Sequence, residues 1–388
     1  MPPHALRSNA VADRPIPMIE LEAEHGAYFD ELRDAVEAVL RHGQFILGPE
    51  VQAFEEECAA YLGCRHAIGV NSGTDALVLA LRALEVGQGD EVVTTPFTFF
   101  ATAEAISAVG ATPVFADIDH DTMNLSVDAV AASMTERTKA IIPVHLFGQA
   151  CDMDELGALG ASHAVPVLED ACQAFGSEYR DAKVGAIGAL GAFSFFPSKT
   201  LGGVGDGGLV TTDDDGFAEH VKMLRFHGSR RKYFNEEIGY NSRLDTIQAA
   251  ALRVKLRRID DANAHRLRVA QRYDAHFEGV DGITTPHTAP RRTHVFHQYT
   301  LRIAGNRRDE VAAALAERQI SSMIYYPVPV HHLPVYAGLG ASCPVAEQAA
   351  DEVISLPISP AMADDTVDAV AQTVVDALRV ARGALRGA

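Results

Sequence analysis

The sequence predicts an α/β chain: a mostly parallel central sheet with helices on both faces, followed by a smaller C-terminal α+β unit. Three observations predict it. Between Ala67 and Thr212, short apolar runs rich in β-branched residues alternate with helix-length stretches, the pattern of strands buried on both faces. After about Asp260 that alternation gives way to a basic helical run and mixed helix and strand signals. A length of 388 residues with 47% hydrophobic content suits two globular units.

The elements follow in order. The opening MPPHALRSNAVADRP has no apolar stretch of the signal-peptide kind, so residues 1–18 read as a frayed N-terminal tail. Ile19 to about Phe54 looks helical, broken at Gly43 and Gly48-Pro49, and Glu50 to Leu62 reads as a helix. Strands are expected at Ala67–Val70, Glu91–Thr95, Thr112–Ile118, Ala140–Leu146, Val165–Glu169, Ala192–Phe196 and Leu209–Thr212, with helices at Thr74–Leu84 and Phe99–Val109. This makes 19–260 the large domain. The small one, 261–388, follows a basic helical run, Ala251–Arg268. It has strand signals at His297–Ile303 and Ser322–Tyr326 and helices at Arg308–Arg318 and Ala346–Ile354. Its last helix, Thr366–Arg382, carries Val367, Val370, Val374 and Leu378 on one face.

Composition narrows the function. A formal charge of −19, from 33 basic and 52 acidic residues, opposes nonspecific nucleic-acid or anionic-membrane binding. It still allows a local basic pocket for an anionic substrate. No apolar run approaches the ~20 residues that span a bilayer. The five cysteines are scattered, with no C-x-x-C pair, and read as reduced thiols of a cytoplasmic protein.

The chain is organised around GAFSFFPSKTLGGVGDGG, Gly191 to Gly208. An apolar strand is stopped by Pro197, Lys199 stands at its exit, and glycines turn the backbone into the next strand. Partial desolvation there lowers a lysine pKa and favours amine nucleophile chemistry. Gly203, Gly205 and Gly208 satisfy G-x-G-x-x-G, but they lead into a strand instead of a helix, so a dinucleotide site is rejected. Lys199-Thr200 precede the glycines, which rules out a P-loop. No metal site is expected: His331 and His332 are adjacent and do not share one helix face, and there is no H-E-x-x-H.

Other strand exits carry chemistry with two readings each. Asn71-Ser72-Gly73-Thr74 opens a helix and is either an anion site built from free N–H groups or a plain N-cap. Glu169-Asp170 follows an apolar strand and offers either a partner for a protonated ring nitrogen or a solvated acidic turn. One phenyl ring of Phe97, Phe99 and Phe100 either stacks on a planar ligand or belongs, like the others, to the core. Asn241 to Asp245 precedes an Ala-rich helix and reads as its cap.

Together these pieces resemble the DegT/DnrJ/EryC1/StrS family of pyridoxal-phosphate sugar aminotransferases, of fold type I. The resemblance runs from about Ile19 to Arg382, through NSGTDAL, PFTFFATAEA, PVHLFGQ, LEDACQAFG, the Lys199 stretch and GYNSRLDTIQAA in family order. It implies pyridoxal 5'-phosphate as cofactor, with Lys199 as the lysine that carries it. Asp170 would face the ring nitrogen, Gln173 the ring hydroxyl, and Phe99 would stack on the ring. Gly73, Thr74 and Ser194 would cradle the phosphate. Asn241 would reach it from the neighbouring subunit, implying a homodimer with shared sites. Cys172 stands where alanine is usual, and Thr200 where asparagine often follows the lysine. Neither removes a functional group.

The implied reaction moves an amino group, by resemblance from L-glutamate, to a keto sugar on a nucleoside diphosphate. The motif forms look most like relatives that aminate carbon 3 of a UDP- or dTDP-linked sugar. A 4-keto sugar is the alternative, and a non-catalytic regulatory protein that binds the cofactor is the alternative of another class. Arg243 is a candidate contact for a pyrophosphate or sugar carboxylate, against a surface ion pair. His331 is a candidate for the sugar site, against a packed loop histidine.

Overall fold

The structure is a computed structural model and describes residues 14–385. Three helices lead in: Leu21–Gly26, Phe29–His42 and Pro49–Leu62. The second ends on Gly43, whose φ of 72° is left-handed, and the third begins on Pro49, the positions where glycine and proline suit helix ends.

The large unit contains strands β1 (His66–Val70), β2 (Glu91–Thr94), β3 (Thr112–Phe115), β4 (Thr138–Ile142) and β5 (Leu168–Asp170). A small hairpin, β6 (Glu178–Tyr179) and β7 (Ala182–Lys183), separates these from β8 (Leu190–Ser194) and β9 (Gly208–Thr212). β1, β9, β8 and β5 are hydrogen-bonded in that order, as are β3, β2 and β4. Parallel bridges from Ile141 to Val167 and from Val144 to Asp170 join β4 to β5. The sheet therefore has the order 1-9-8-5-4-2-3, and every pairing is parallel except those of β9.

Side chains alternate along each strand, so successive residues enter opposite cores. Val92, Ala140, Leu168, Ala192 and Val210 pack with the helices Gly73–Ala83 and Asp215–Leu224. Val93, Ile141, Val167, Phe193 and Leu209 pack with the helices Pro49–Leu62, Met153–His163 and Thr246–Leu256. Burial on both faces explains why these strands read as continuous apolar runs.

A second core gathers Tyr273, Leu301, Val311, Ile354 and Val370. It lies on an antiparallel sheet with Tyr299–Ile303 between Ile283–Thr284 and Val353–Leu356. Val367, Val370, Val374 and Leu378 of the last helix, Asp364–Leu385, are all buried there.

Four expectations change. Residues 1–13 of the expected tail lie outside the described residues, but Ile16 is bridged to Ile320 and buried in the second core. The basic run is two helices, Thr246–Leu256 and Ile259–Phe277. The break lets Leu256 and Ile259 pack on the large sheet while Val269 and Tyr273 reach the second core. Val353 and Ile354, expected as a helix end, open the strand Val353–Leu356, because β-branched residues with no exposed face suit a sheet. Ser322–Tyr326 makes one bridge, Met323 to Ser355, and then leaves the sheet before Pro327 and Pro329, which lack ladder donors. Among the described residues no helix is long and apolar enough to cross a membrane.

Candidate active site

A cavity of about 420 Å³ opens at the carboxyl ends of β5 and β8 and the start of the helix Gly73–Ala83. This is where parallel sheets collect ligands.

One wall is the helix start. Ser72, extended at φ −160°, caps the helix by accepting the Asp75 N–H at 3.1 Å. The next two N–H groups, of Gly73 and Thr74, are left for a ligand. The cap thus leaves N–H groups at the helix start that face the cavity. A side chain at Gly73 would put its Cβ 2.6 Å from Ser194 Cβ and 3.0 Å from Cys172 Sγ. Only glycine lets β8 approach this closely.

β5 supplies the opposite wall. Successive residues face opposite sides, so Asp170 lines the cavity while Glu169 turns away into a fully buried bond with His145. Asp170 accepts from Thr102 Oγ1 at 2.8 Å and from the Cys172 N–H at 3.2 Å. Gln173 accepts the Phe147 N–H at 2.8 Å. That donor fixes the amide's orientation, so its nitrogen donates to the Tyr326 hydroxyl, 3.0 Å away. The Tyr326 oxygen is thereby an acceptor, leaving its own proton to donate elsewhere. Burial pushes this phenol above its ordinary pKa and keeps it protonated.

Lys199 follows β8. Ser194 ends the strand, Phe195 is buried, and the Lys199 N–H closes a turn on the Phe196 carbonyl at 2.8 Å. Phe195 ties the loop shut through N–H and C=O bonds to Gly207 and Gly203. Burial pulls the Lys199 amine below its ordinary pKa, while Cys172 and Asp170 pull the other way. The glycines turn the chain back into antiparallel β9, as expected, but without left-handed backbone: none between Gly202 and Gly208 has a positive φ. They serve close approach. A Cβ at Gly202 would lie 2.2 Å from the Pro197 carbonyl oxygen, and one at Gly208 2.3 Å from that of Ser72.

The other candidates divide. Phe97 is core, whereas Phe99, 59% exposed, stands on the cavity rim. Asn241 and Arg243 do not line the cavity of their own chain. Asn241 is exposed and accepts from Arg243, whose guanidinium lies 5.6 Å over the Phe226 ring. Ser242 between them holds the Asn71 N–H at 3.2 Å, which seats this segment beside the β1 exit. His331 is buried outside the cavity, its Nε2 3.1 Å from Glu347 Oε1. His332 approaches the same oxygen at 3.4 Å, so the pair does converge on one carboxylate. The residues not expected here include Thr98, Thr102, Asp206, His297, Gln298, Tyr325 and Tyr326. Four of these come from the segments around Tyr299–Ile303 and before Pro327, whose nearness to Lys199 has no local signal.

The DegT/DnrJ/EryC1/StrS aminotransferase family model matches residues 28–375. The chain is 44% identical to a UDP-N-acetyl-3-dehydro-α-D-glucosamine 3-aminotransferase of Acidithiobacillus ferrooxidans, over 92% of this chain and 97% of that one. It is 45% identical to a dTDP-3-amino-3,4,6-trideoxy-α-D-glucose transaminase of Streptomyces venezuelae, over 89% and 91%. DesV of S. venezuelae, solved in complex with a ketimine intermediate, superposes with a TM-score of 0.90 at 44% identity, covering 95% of this chain and 98% of that one. NtdA of Bacillus subtilis, solved with bound cofactor PMP, superposes at 0.90 with 26% identity, over 96% and 87%.

Proposed function

From the membership of this chain in the DegT/DnrJ/EryC1/StrS aminotransferase family, we propose that it aminates carbon 3 of a 3-keto sugar linked to UDP or dTDP, with L-glutamate as donor. It is a pyridoxal-phosphate enzyme, a nucleotide-sugar transaminase. The observation that carries the reading is one cavity holding a desolvated lysine, a buried carboxylate and a helix-start cradle that a Cβ would fill. Those residues fit the cofactor.

When bound, pyridoxal phosphate supplies an electron sink and a carbon that takes and returns the amino group. Everything else falls to the chain. The Gly73 and Thr74 N–H groups and the Ser194 hydroxyl hold the phosphate. Asp170 would face the ring nitrogen and favour its protonated form, Gln173 would attend the ring hydroxyl, and Phe99 would cover one ring face. Lys199 would hold the cofactor in the resting enzyme, and its free amine would take the proton from the donor α-carbon and give it back, as base and then acid. Its lowered pKa leaves more neutral amine for the first role.

Asn241, exposed beside the β1 exit and outside its own cavity, reaches the partner's phosphate in a homodimer. Arg243, two residues on, contacts the sugar nucleotide there. The five cysteines are free thiols, which supports a cytoplasmic setting. We take 19–260 as the cofactor-binding domain and 261–388 as the small domain.

Two relatives named for 3-amino sugars support carbon 3 over carbon 4. The test is incubation with glutamate and matched 3-keto and 4-keto sugars on UDP and dTDP, reading 2-oxoglutarate. Turnover with the 3-keto set is expected. Turnover confined to the 4-keto set overturns the choice of carbon.

A further inference from the structure

The Asp170 carboxylate ends a chain of hydroxyls. Thr102, in the first turn of the helix Ala101–Ala108, is 1% exposed and places Oγ1 2.8 Å from Asp170 Oδ2. Behind it, Thr98 Oγ1 lies 2.9 Å from Thr102 Oγ1. The chemistry of the groups fixes the proton directions. An ionised carboxylate only accepts, so Thr102 donates to Asp170. A hydroxyl has one proton, so Thr98 donates to Thr102. The chain runs one way and ends on the charge.

We propose that Thr102 is a positioning residue: its hydroxyl fixes the rotation of the Asp170 carboxylate and aims it at the cofactor ring nitrogen, with Thr98 aiming that hydroxyl. The inference rests on the pyridoxal-phosphate reading of the cavity. A donor to a buried carboxylate favours its charged form. The Cys172 N–H already satisfies Oδ1, so Oδ2 depends on Thr102 within the chain. The other groups facing Asp170 are Lys199, Cys172 and Tyr326. Burial keeps the thiol and the phenol neutral, and none of the three is altered by a change at Thr102. Thr102→Val therefore keeps the shape and removes one donor to the charge.

Pyridoxamine phosphate makes no covalent bond with Lys199 and reports the non-covalent site alone. It is titrated calorimetrically, across the pH range, into cofactor-stripped full-length wild type, Thr102→Val, Thr102→Ser and Thr98→Val. Thr102→Val should bind about tenfold more weakly, and the acid-side loss of affinity should move to higher pH by about one unit. Thr102→Ser should restore both, and Thr98→Val should fall between. Wild-type affinity and pH dependence in Thr102→Val overturn the proposal. So does a Thr102→Ser protein as weak as Thr102→Val, which would assign the effect to the methyl group. Thermal unfolding checks that Thr102→Val is folded, and if it is not, Thr98→Val, with Thr102 intact, decides by the same two readouts. Failure of the wild type to bind removes the pocket reading and this inference with it. Failure of the variants to differ removes this inference alone.

Discussion

His145 Nε2 lies 2.9 Å from Glu169 Oε2, and both side chains are fully buried. His145 Nδ1 accepts the Cys151 N–H at 3.0 Å, so the ring proton sits on Nε2 and is donated to Glu169. The same carboxylate accepts N–H groups of Gly185, Ile187 and Gly188 at 2.6–2.7 Å. Glu169 thus pins the loop before β8 to β5, next to the residue that faces the cavity. Glu169→Gln turns an amide NH₂ toward backbone donors, and the folded state should lose about 3 kcal/mol or more. Chemical denaturation measures it, and a loss below about 0.5 kcal/mol, within the range of ordinary surface changes, contradicts this account.

Lys199 is a half-buried amine whose charge the fold disfavours. Its pKa in the folded protein lies below the ordinary 10.5, so between the two values the unfolded chain binds more protons. Stability of the cofactor-free protein should therefore rise with pH through that window. Lys199→Met should raise its melting temperature at neutral pH, with the advantage gone near pH 10.5. The same variant should lose roughly 10²–10⁴-fold in amino transfer with the proton carrier. A lower melting temperature in Lys199→Met at neutral pH would show that burial does not strain the charge.

Gly73 sits where β8 meets the helix start. Gly73→Ala puts a methyl 2.6 Å from Ser194 Cβ, and backbone must shift to relieve it. The cost should be about 1–3 kcal/mol in stability, with weaker cofactor binding as the N–H cradle opens. Equilibrium titration with pyridoxal phosphate reads the second effect. Unchanged affinity would remove the cradle from phosphate binding.

Asn241 is tested by mixing inactive subunits. Lys199→Ala and Asn241→Ala chains, denatured and refolded together, form mixed dimers in which one site keeps its own Lys199 and takes Asn241 from the partner. About a quarter of wild-type activity should return for random pairing. No recovery would mean that Asn241 serves its own chain or that sites are not shared.

The sequence determined the α/β class, the strands buried on both faces, and the pocket's local pieces. It did so because each rests on short-range chemistry: apolar runs for strands, a serine before a helix for the cap, a proline and lysine at a strand exit. Asp170 and Lys199 were legible because parallel sheets place functional groups at strand ends. Local signals failed where the deciding contact was distant. Val353–Leu356 became a strand through its pairing with Tyr299–Ile303, and Tyr325 and Tyr326 left the sheet to wall the cavity. Only the tertiary structure decided that Glu169 and Asp170 divide between a buried clamp and the cavity, since the two faces of β5 meet different partners. It alone decided that Thr102, 68 residues away in sequence, donates to Asp170, and that the glycines after Lys199 are required by close packing and not by left-handed backbone. Each depends on which atoms the fold brings within a bond length of one another, and adjacency in the chain carries no such information.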